Sequence, residues 1–324
     1  MSTTHPASLV ISLDFELFWG MSDKTTLTEY GANVRGVREA VPRMLELFRA
    51  HGIRATWATV GMLAFESRQD LFAALPSKRP AYKDARLSAY THLAGNQVGK
   101  NEQTDVYHFG PSLIREITAV QGQEIGSHTF SHYYCKEDGQ DAETFRADLE
   151  AAAKALSHYA PRPISLVLPR NQWREDYLSV AKETGIRVFR GNPESAIYAP
   201  RAEQAQTNPA VRALRLIDQY IPLFGSHTAS AREVTGVVNV PASMFLRPYS
   251  TALRVFEPVR RARLKAAMTA AAKAGGIFHL WWHPHNFGKN VDDNIRTLAE
   301  LLAHFDTLRE RYGMESRNMG DFAV

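Results

Sequence analysis

The sequence has a single cysteine, Cys135, in 324 residues. That excludes an internal disulfide and suits a reducing compartment. It also lacks any apolar run near the ~20 residues a membrane-spanning helix needs. The run Leu9 to Leu13 stops at Asp14, and Met1 to Ser8 carry no lysine or arginine. The reading is therefore of a cytoplasmic chain with no secretory signal and no transmembrane segment. Nor does one sign of charge dominate. A formal balance of +4 argues against a nucleic-acid partner, which asks for a basic stripe interleaved with aromatics. It permits an anionic small substrate. The densest basic stretch, Arg254, Arg260, Arg261, Arg263 and Lys265, reads as a solvated helix face or as a phosphate contact.

What the sequence does have is an alternation of short apolar runs and helical periodicity. Leu9 to Asp14 reads as a buried strand. Val41, Leu45 and Phe48 share one helical stripe closed by Gly52, with Pro42 expected in that helix's first turn. Ile53 to Val60 reads as the next strand, giving a βαβ unit and a parallel sheet. The pattern fails from about 65 to 109, a long insertion that reads either as a flap over substrate or as surface decoration. It then resumes, with strands at Glu124–Ser127, Ile164–Leu168, Ile186–Arg190, Val237–Val240 and Ile277–Trp282. Helices are expected at Ser112–Val120, around Phe145–Leu156, and at Gln172–Glu183, Val211–Gln219, Arg260–Lys273 and Val291–Tyr312. Repeated β/α units point to an α/β fold, a complete or distorted (β/α) barrel, whose chemistry gathers at the C-terminal ends of the strands.

Four groups of residues fall at such ends. Asp14 and Glu16, two apart on extended chain, share a side. Two close carboxylates repel, so a cation or a proton belongs with them, unless the strand end simply reaches solvent. His128 and His132, four apart after a strand, would share a face on a helical turn and grip one metal ion. A carboxylate from another strand would complete the set. The alternative is a chance pair among twelve histidines. In Leu168-Pro169-Arg170-Asn171-Gln172-Trp173, Arg170 could orient a carboxylate base through a bidentate contact or begin a helix facing solvent. In Phe278 to Asn286, His283 stands where a strand ends and could protonate a leaving amine. Trp281 and Trp282 could wall a sugar site or pack in the core, and His279 reads as a buried strand residue.

Taken in order, Asp14-Phe15-Glu16, His128-Thr129-Phe130-Ser131-His132, Pro169-Arg170 and His283 resemble the motifs of the polysaccharide deacetylase family, the NodB-homology fold of carbohydrate esterases. The set spans Val10 to about Asn286. The resemblance implies a distorted (β/α) barrel forming one catalytic domain over 1–324. It implies one divalent ion, zinc first with cobalt or nickel as alternatives, held by Glu16, His128 and His132. Asp14 would be the base, held by Arg170, and His283 the acid. The implied substrate is an N-acetyl or N-formyl amino sugar, nucleotide- or lipid-linked, a precursor of a bacterial surface polysaccharide of the O-antigen type. Trp19, Asn171, Trp173, Arg190, Asn192, Trp281 and His285 are candidate substrate contacts. Two rivals stand beside it: an amidase acting on a non-carbohydrate cyclic or linear amide, and a catalytically inactive sugar-binding barrel.

Overall fold

The computed structural model describes residues 6–95, 97–199 and 208–323. Ten strands form one sheet: β1 Ser8–Phe15, β2 Ala55–Thr59, β3 Gln123–Ser127, β4 Ser165–Leu166, β5 Val188–Phe189, β6 Arg232–Val234, β7 Val237–Asn239, β8 Met244–Phe245, β9 Ile277–Trp282 and β10 Glu315–Arg317. Among the described residues, eleven α-helices accompany them: α1 Leu27–Arg35, α2 Val37–His51, α3 Arg68–Ala73, α4 Ala89–Ala94, α5 Pro111–Thr118, α6 Ala142–Leu156, α7 Glu175–Glu183, α8 Pro209–Asp218, α9 Glu257–Ala274, α10 Pro284–Phe287 and α11 Val291–Tyr312.

The strands run β6-β7-β5-β4-β3-β2-β1-β9-β8 across the sheet, with β10 beside the start of β1. Every pairing is parallel except β6 with β7. The sheet curls into a half-barrel.

The two faces of β1 show how the sequence builds this shape. Leu9, Ile11, Leu13 and Phe15 alternate outward into the main core with Met44 and Phe48 of α2 and Leu301 and Phe305 of α11. The intervening residues point inward. Val10 joins Ala58, Val167, Val188 and Val240 in an apolar floor, together with Met319 and Phe322. Above that floor come Ser12 and Asp14, both buried. Polarity thus rises along the strands toward their C-terminal ends, where the chemistry of such barrels gathers.

Several boundaries differ from the expected ones. The helix that contains Pro42 begins five residues earlier, at Val37. Burial of Val37, Ala40, Val41, Met44, Leu45 and Phe48 offsets the hydrogen bond that proline cannot donate. Residues 169–171 form a 3-10 turn, and α7 starts only at Glu175. The 65–109 stretch is neither a flap nor surface decoration. It carries α3 and α4, sends Leu71, Leu93, Val98 and Phe109 into the main core, and contributes no residue to the lining of the cleft described below. The basic stretch is only partly solvated. Arg260 is buried against Glu257 and the Arg247 carbonyl, and buried Arg263 donates to the Gly225 carbonyl at 2.6 Å.

Candidate active site

At the C-terminal end of the sheet a cleft of about 670 Å³ opens over Asp14, Glu16, His132, His283 and His285. Glu16 follows β1, His128 follows β3 and His283 follows β9. Glu16 Oε2 lies 2.9 Å from His132 Nε2 and 3.2 Å from His128 Nε2. All three residues are buried, and their ligand atoms fall within 4.8 Å of one another.

The donor set fits a cation. His128 Nδ1 lies 2.8 Å from the Val167 carbonyl, an acceptor only, so the proton of the neutral ring belongs on Nδ1. Nε2 then presents a lone pair to a carboxylate oxygen, and two acceptors facing each other need a proton or a metal ion between them. His132 is held in a similar way, its Nδ1 3.0 Å from the Tyr134 hydroxyl. Burial alone would raise the Glu16 carboxyl. The neighbouring imidazoles of His283, His132 and His128 outweigh it and hold Glu16 well below the usual glutamate value. Gly20 makes room for this carboxylate, because a Cβ there would stand 2.1 Å from Glu16 Cδ.

The two histidines are not on one helical turn, as their spacing suggested. Residues 128–134 form an irregular loop in which Thr129 and His132 take φ values of 64° and 57°. Such left-handed non-glycine residues are uncommon and gather at functional sites. Leu17, Arg170 and Asn171, around the same site, share the conformation. Asp148 of α6 fastens the loop, its Oδ1 accepting from the Phe130 N–H at 2.6 Å and the Ser131 N–H at 3.3 Å.

Asp14 stands beside this cluster without touching the two imidazole Nε2 atoms. It is gripped by Arg190, not by Arg170. Arg190 Nη1 and Nη2 donate to Asp14 Oδ1 and Oδ2 at 2.7 and 2.8 Å. The guanidinium also donates to Ser12 Oγ and Asn171 Oδ1 and lies 4.3 Å from the Trp281 ring centre. Burial would raise Asp14, but Arg190, His128 and His283 together hold it below the usual aspartate value. Arg170 turns away at φ 56° to pair with Asp23 and stack 4.2 Å over Tyr134. Both arginines follow short strands, so sequence alone did not separate them. Asp23 and Tyr134 carried no motif signal.

His283 completes the group, its Nε2 3.7 Å from Asp14 Oδ2 and 3.8 Å from Glu16 Oε1. Its ring stacks on His285 at 5.0 Å, and Asn286 lies 3.3 Å from its Nδ1. His285 is buried. Desolvation and neighbouring His283 push its imidazole down to about 3 despite Glu16.

The sequence and fold comparisons bear on this geometry. Residues 29–189 match the polysaccharide deacetylase family. The chain carries a polysaccharide deacetylase domain. The match leaves out Asp14, Glu16 and His283. Among solved structures, a Mycobacterium smegmatis protein assigned to the polysaccharide deacetylases aligns at TM-score 0.60 and 15% identity, over 99% of this chain and 91% of its own. A Pseudomonas aeruginosa protein assigned likewise gives 0.53 and 12% over 97% and 88%. The PuuE allantoinase gives 0.53 and 12% over 99% and 90%. At these identities the likeness shows the fold. No curated protein matches the sequence.

The remaining candidate contacts divide in two. Asn171, Asn192, Trp281 and His285 line the cleft. Trp19 does not. It is 2% exposed and its indole N–H donates to the His108 carbonyl, so it props the loop after Glu16. Trp173 bonds Asn192 through Nε1 and packs on Phe189, while Arg190 is spent on Asp14. Trp282 is core, stacked on Phe287. His279 is buried, 2.8 Å from Ser12 Oγ.

Proposed function

We propose that the chain is a metal-dependent carbohydrate N-deacylase, hydrolysing an acetyl or formyl group from an amino sugar. The observation that carries this reading is the buried Glu16–His128–His132 cluster beside an ionised Asp14 that is not one of its members. A site built only to hold a sugar has no use for a buried carboxylate and two imidazoles converging within 4.8 Å. When bound by these three residues, a divalent ion, zinc by its donor preference, would lower the pKa of a water molecule toward ~7 and polarise the acyl oxygen.

The chain's own residues then have distinct tasks. Asp14, kept ionised by Arg190, accepts a proton from the attacking water. Arg190 fixes the direction of that carboxylate through both η nitrogens, so the base meets the water in one orientation. His283 is placed to deliver a proton to the departing amine. The products are a free amino sugar and a small carboxylate. Asn171, Asn192 and Trp281 offer amide hydrogen bonds and an aromatic face to a sugar ring. The role in a bacterial surface-polysaccharide precursor belongs to the same reading.

The test is incubation of zinc-loaded protein with a panel of N-acetyl and N-formyl amino sugars, with allantoin as a cyclic-amide comparison. Carboxylate release and product mass are the readouts. The expected result is acetate or formate from a sugar and none without metal. Hydrolysis of allantoin alone would move the assignment to the amidases.

A further inference from the structure

Among the described residues, eleven large apolar side chains are exposed, and nine of them fall in 214–224 and 255–259. Singly exposed apolar residues are ordinary on a protein surface, whereas such clustering marks an interaction site. Leu214, Ile217 and Ile221 form an outer stripe on and just beyond α8, and Val255, Phe256 and Val259 lie at the start of α9. The two segments are joined. The Tyr220 and Phe256 rings are 6.2 Å apart, and Arg263 of α9 holds the Gly225 carbonyl.

The charge on this face has one sign. The acids within 208–224 and 251–266 are Asp218 and Glu257, both buried. Asp218 faces His227 and Tyr198, and Glu257 faces Arg260. Arg212 and Arg254 are exposed, and no ion pair holds either among the described residues. The face also meets the cleft, because Arg212 and Leu216 of α8 line it. Away from Asp14 and Glu16, every charged side chain lining the cleft is a lysine or an arginine, Arg247 among them.

We propose that this face docks on an anionic lipid surface. Apolar side chains flanked by arginines, with no exposed acid in these two segments, are what a helix lying in the headgroup region presents. A protein partner of mixed charge would call for acids as well. Docking there sets the cleft mouth at the headgroups. Resting on the deacylase reading above, the sugar within reach is one carried on a lipid, its phosphate met by the cationic wall.

The experiment is co-sedimentation of the full chain with vesicles of phosphatidylcholine alone and of phosphatidylcholine with phosphatidylglycerol. The expected result is retention on the anionic vesicles. The Ile217→Ser, Ile221→Ser, Val255→Ser, Phe256→Ser quadruple variant should lose at least about a hundredfold in affinity, given what each large apolar side chain gains on burial. As a milder pair, Arg212→Ala with Arg254→Ala should cost about fivefold per arginine on anionic vesicles and little on neutral ones. In Phe256→Trp, the indole emission should shift to the blue on vesicles and be quenched by brominated lipid. Wild-type protein left in the supernatant with both vesicles would overturn the proposal. So would a dimer in gel filtration that the serine variant converts to monomer, since a second copy would then cover the face. Sedimentation reads no hydrolysis. A failed deacylase assay therefore leaves this result standing, and failed sedimentation leaves the metal-centre reading untouched.

Discussion

Arg190 and Asp14, 176 positions apart, meet through two parallel hydrogen bonds of 2.7 and 2.8 Å in the buried mouth of the barrel. The fork is what keeps a buried carboxylate ionised and aimed. A lysine supplies charge without the planar pair of donors. Arg190→Lys is therefore expected to lower kcat about 10–100-fold, the usual cost of losing a residue that orients another, with metal affinity unchanged. Arg190→Ala goes further. With the guanidinium gone, burial of Asp14 is less opposed and its pKa rises, so the acid limb of the kcat/KM profile moves to higher pH. A profile that stays in place in both variants would remove Arg190 from the base.

The two acids of Asp14-Phe15-Glu16 should separate cleanly. Glu16 approaches both imidazoles, whereas Asp14 is occupied by Arg190. Asp14→Asn is expected to abolish turnover while zinc, read by isothermal titration, still binds. Glu16→Gln is expected to lose zinc and turnover together. The reverse pattern would exchange their roles. His283→Ala should act on kcat by about 10²–10⁴-fold, the range for a lost general acid, with KM little changed.

Gly20 offers a way to disturb the centre without altering a ligand. A Cβ at this position would sit 2.1–2.4 Å from the Glu16 carboxyl atoms, so the carboxylate must swing aside. Gly20→Ala is expected to weaken zinc binding by about 10–100-fold, as other changes to the surroundings of metal ligands do, while the chain stays folded. Zinc affinity equal to wild type would show that Glu16 has another position from which to bind.

How far the sequence reveals this structure depends on the range of the forces at each place. The helix Val291–Tyr312 and the strand Ile277–Trp282 lie where their patterns put them, because a long one-sided or continuous apolar segment carries its own signal. β8 and β10, of two and three residues, exist only through pairing with distant strands and leave no local trace. At the site, Asp14, Glu16, His128, His132 and His283 drew notice because they stand in or after the C-terminal ends of β1, β3 and β9. The choice between Arg170 and Arg190 was not legible. It turns on a left-handed backbone at Arg170 and on the Tyr134 ring and Asp23 that receive it. Trp19 misled for a related reason: an indole near a strand end suits a sugar, but the 65–109 segment covers this one.

Asp148 yields a pH dependence of stability whose sign can be fixed. Burial pushes its carboxyl up to about 6, although bonds from Ser131, Phe130 and Tyr90 pull the other way. In the unfolded chain an aspartate titrates near ~3.9. Below that pH both states hold the proton and the contribution is fully present. As pH rises the unfolded chain releases its proton first, so folding stability falls until the native carboxyl also ionises near pH 6. Two units at about 1.4 kcal/mol each give a loss of roughly 3 kcal/mol across this window. Asp148→Asn removes the titration and keeps an oxygen for the Phe130 and Ser131 N–H groups. The stability of Asp148→Asn minus that of wild type, from urea unfolding, should therefore climb by up to about 3 kcal/mol between pH 4 and 6 and then level off. The difference, rather than either curve, is the quantity to measure, because Asp14 and Glu16 have lowered pKa values and make the native state more stable as pH rises through the acid range. A difference that stays flat over the window would show that Asp148 ionises in the fold as readily as in the open chain, and that its bonds to the 128–132 loop outweigh the cost of its burial.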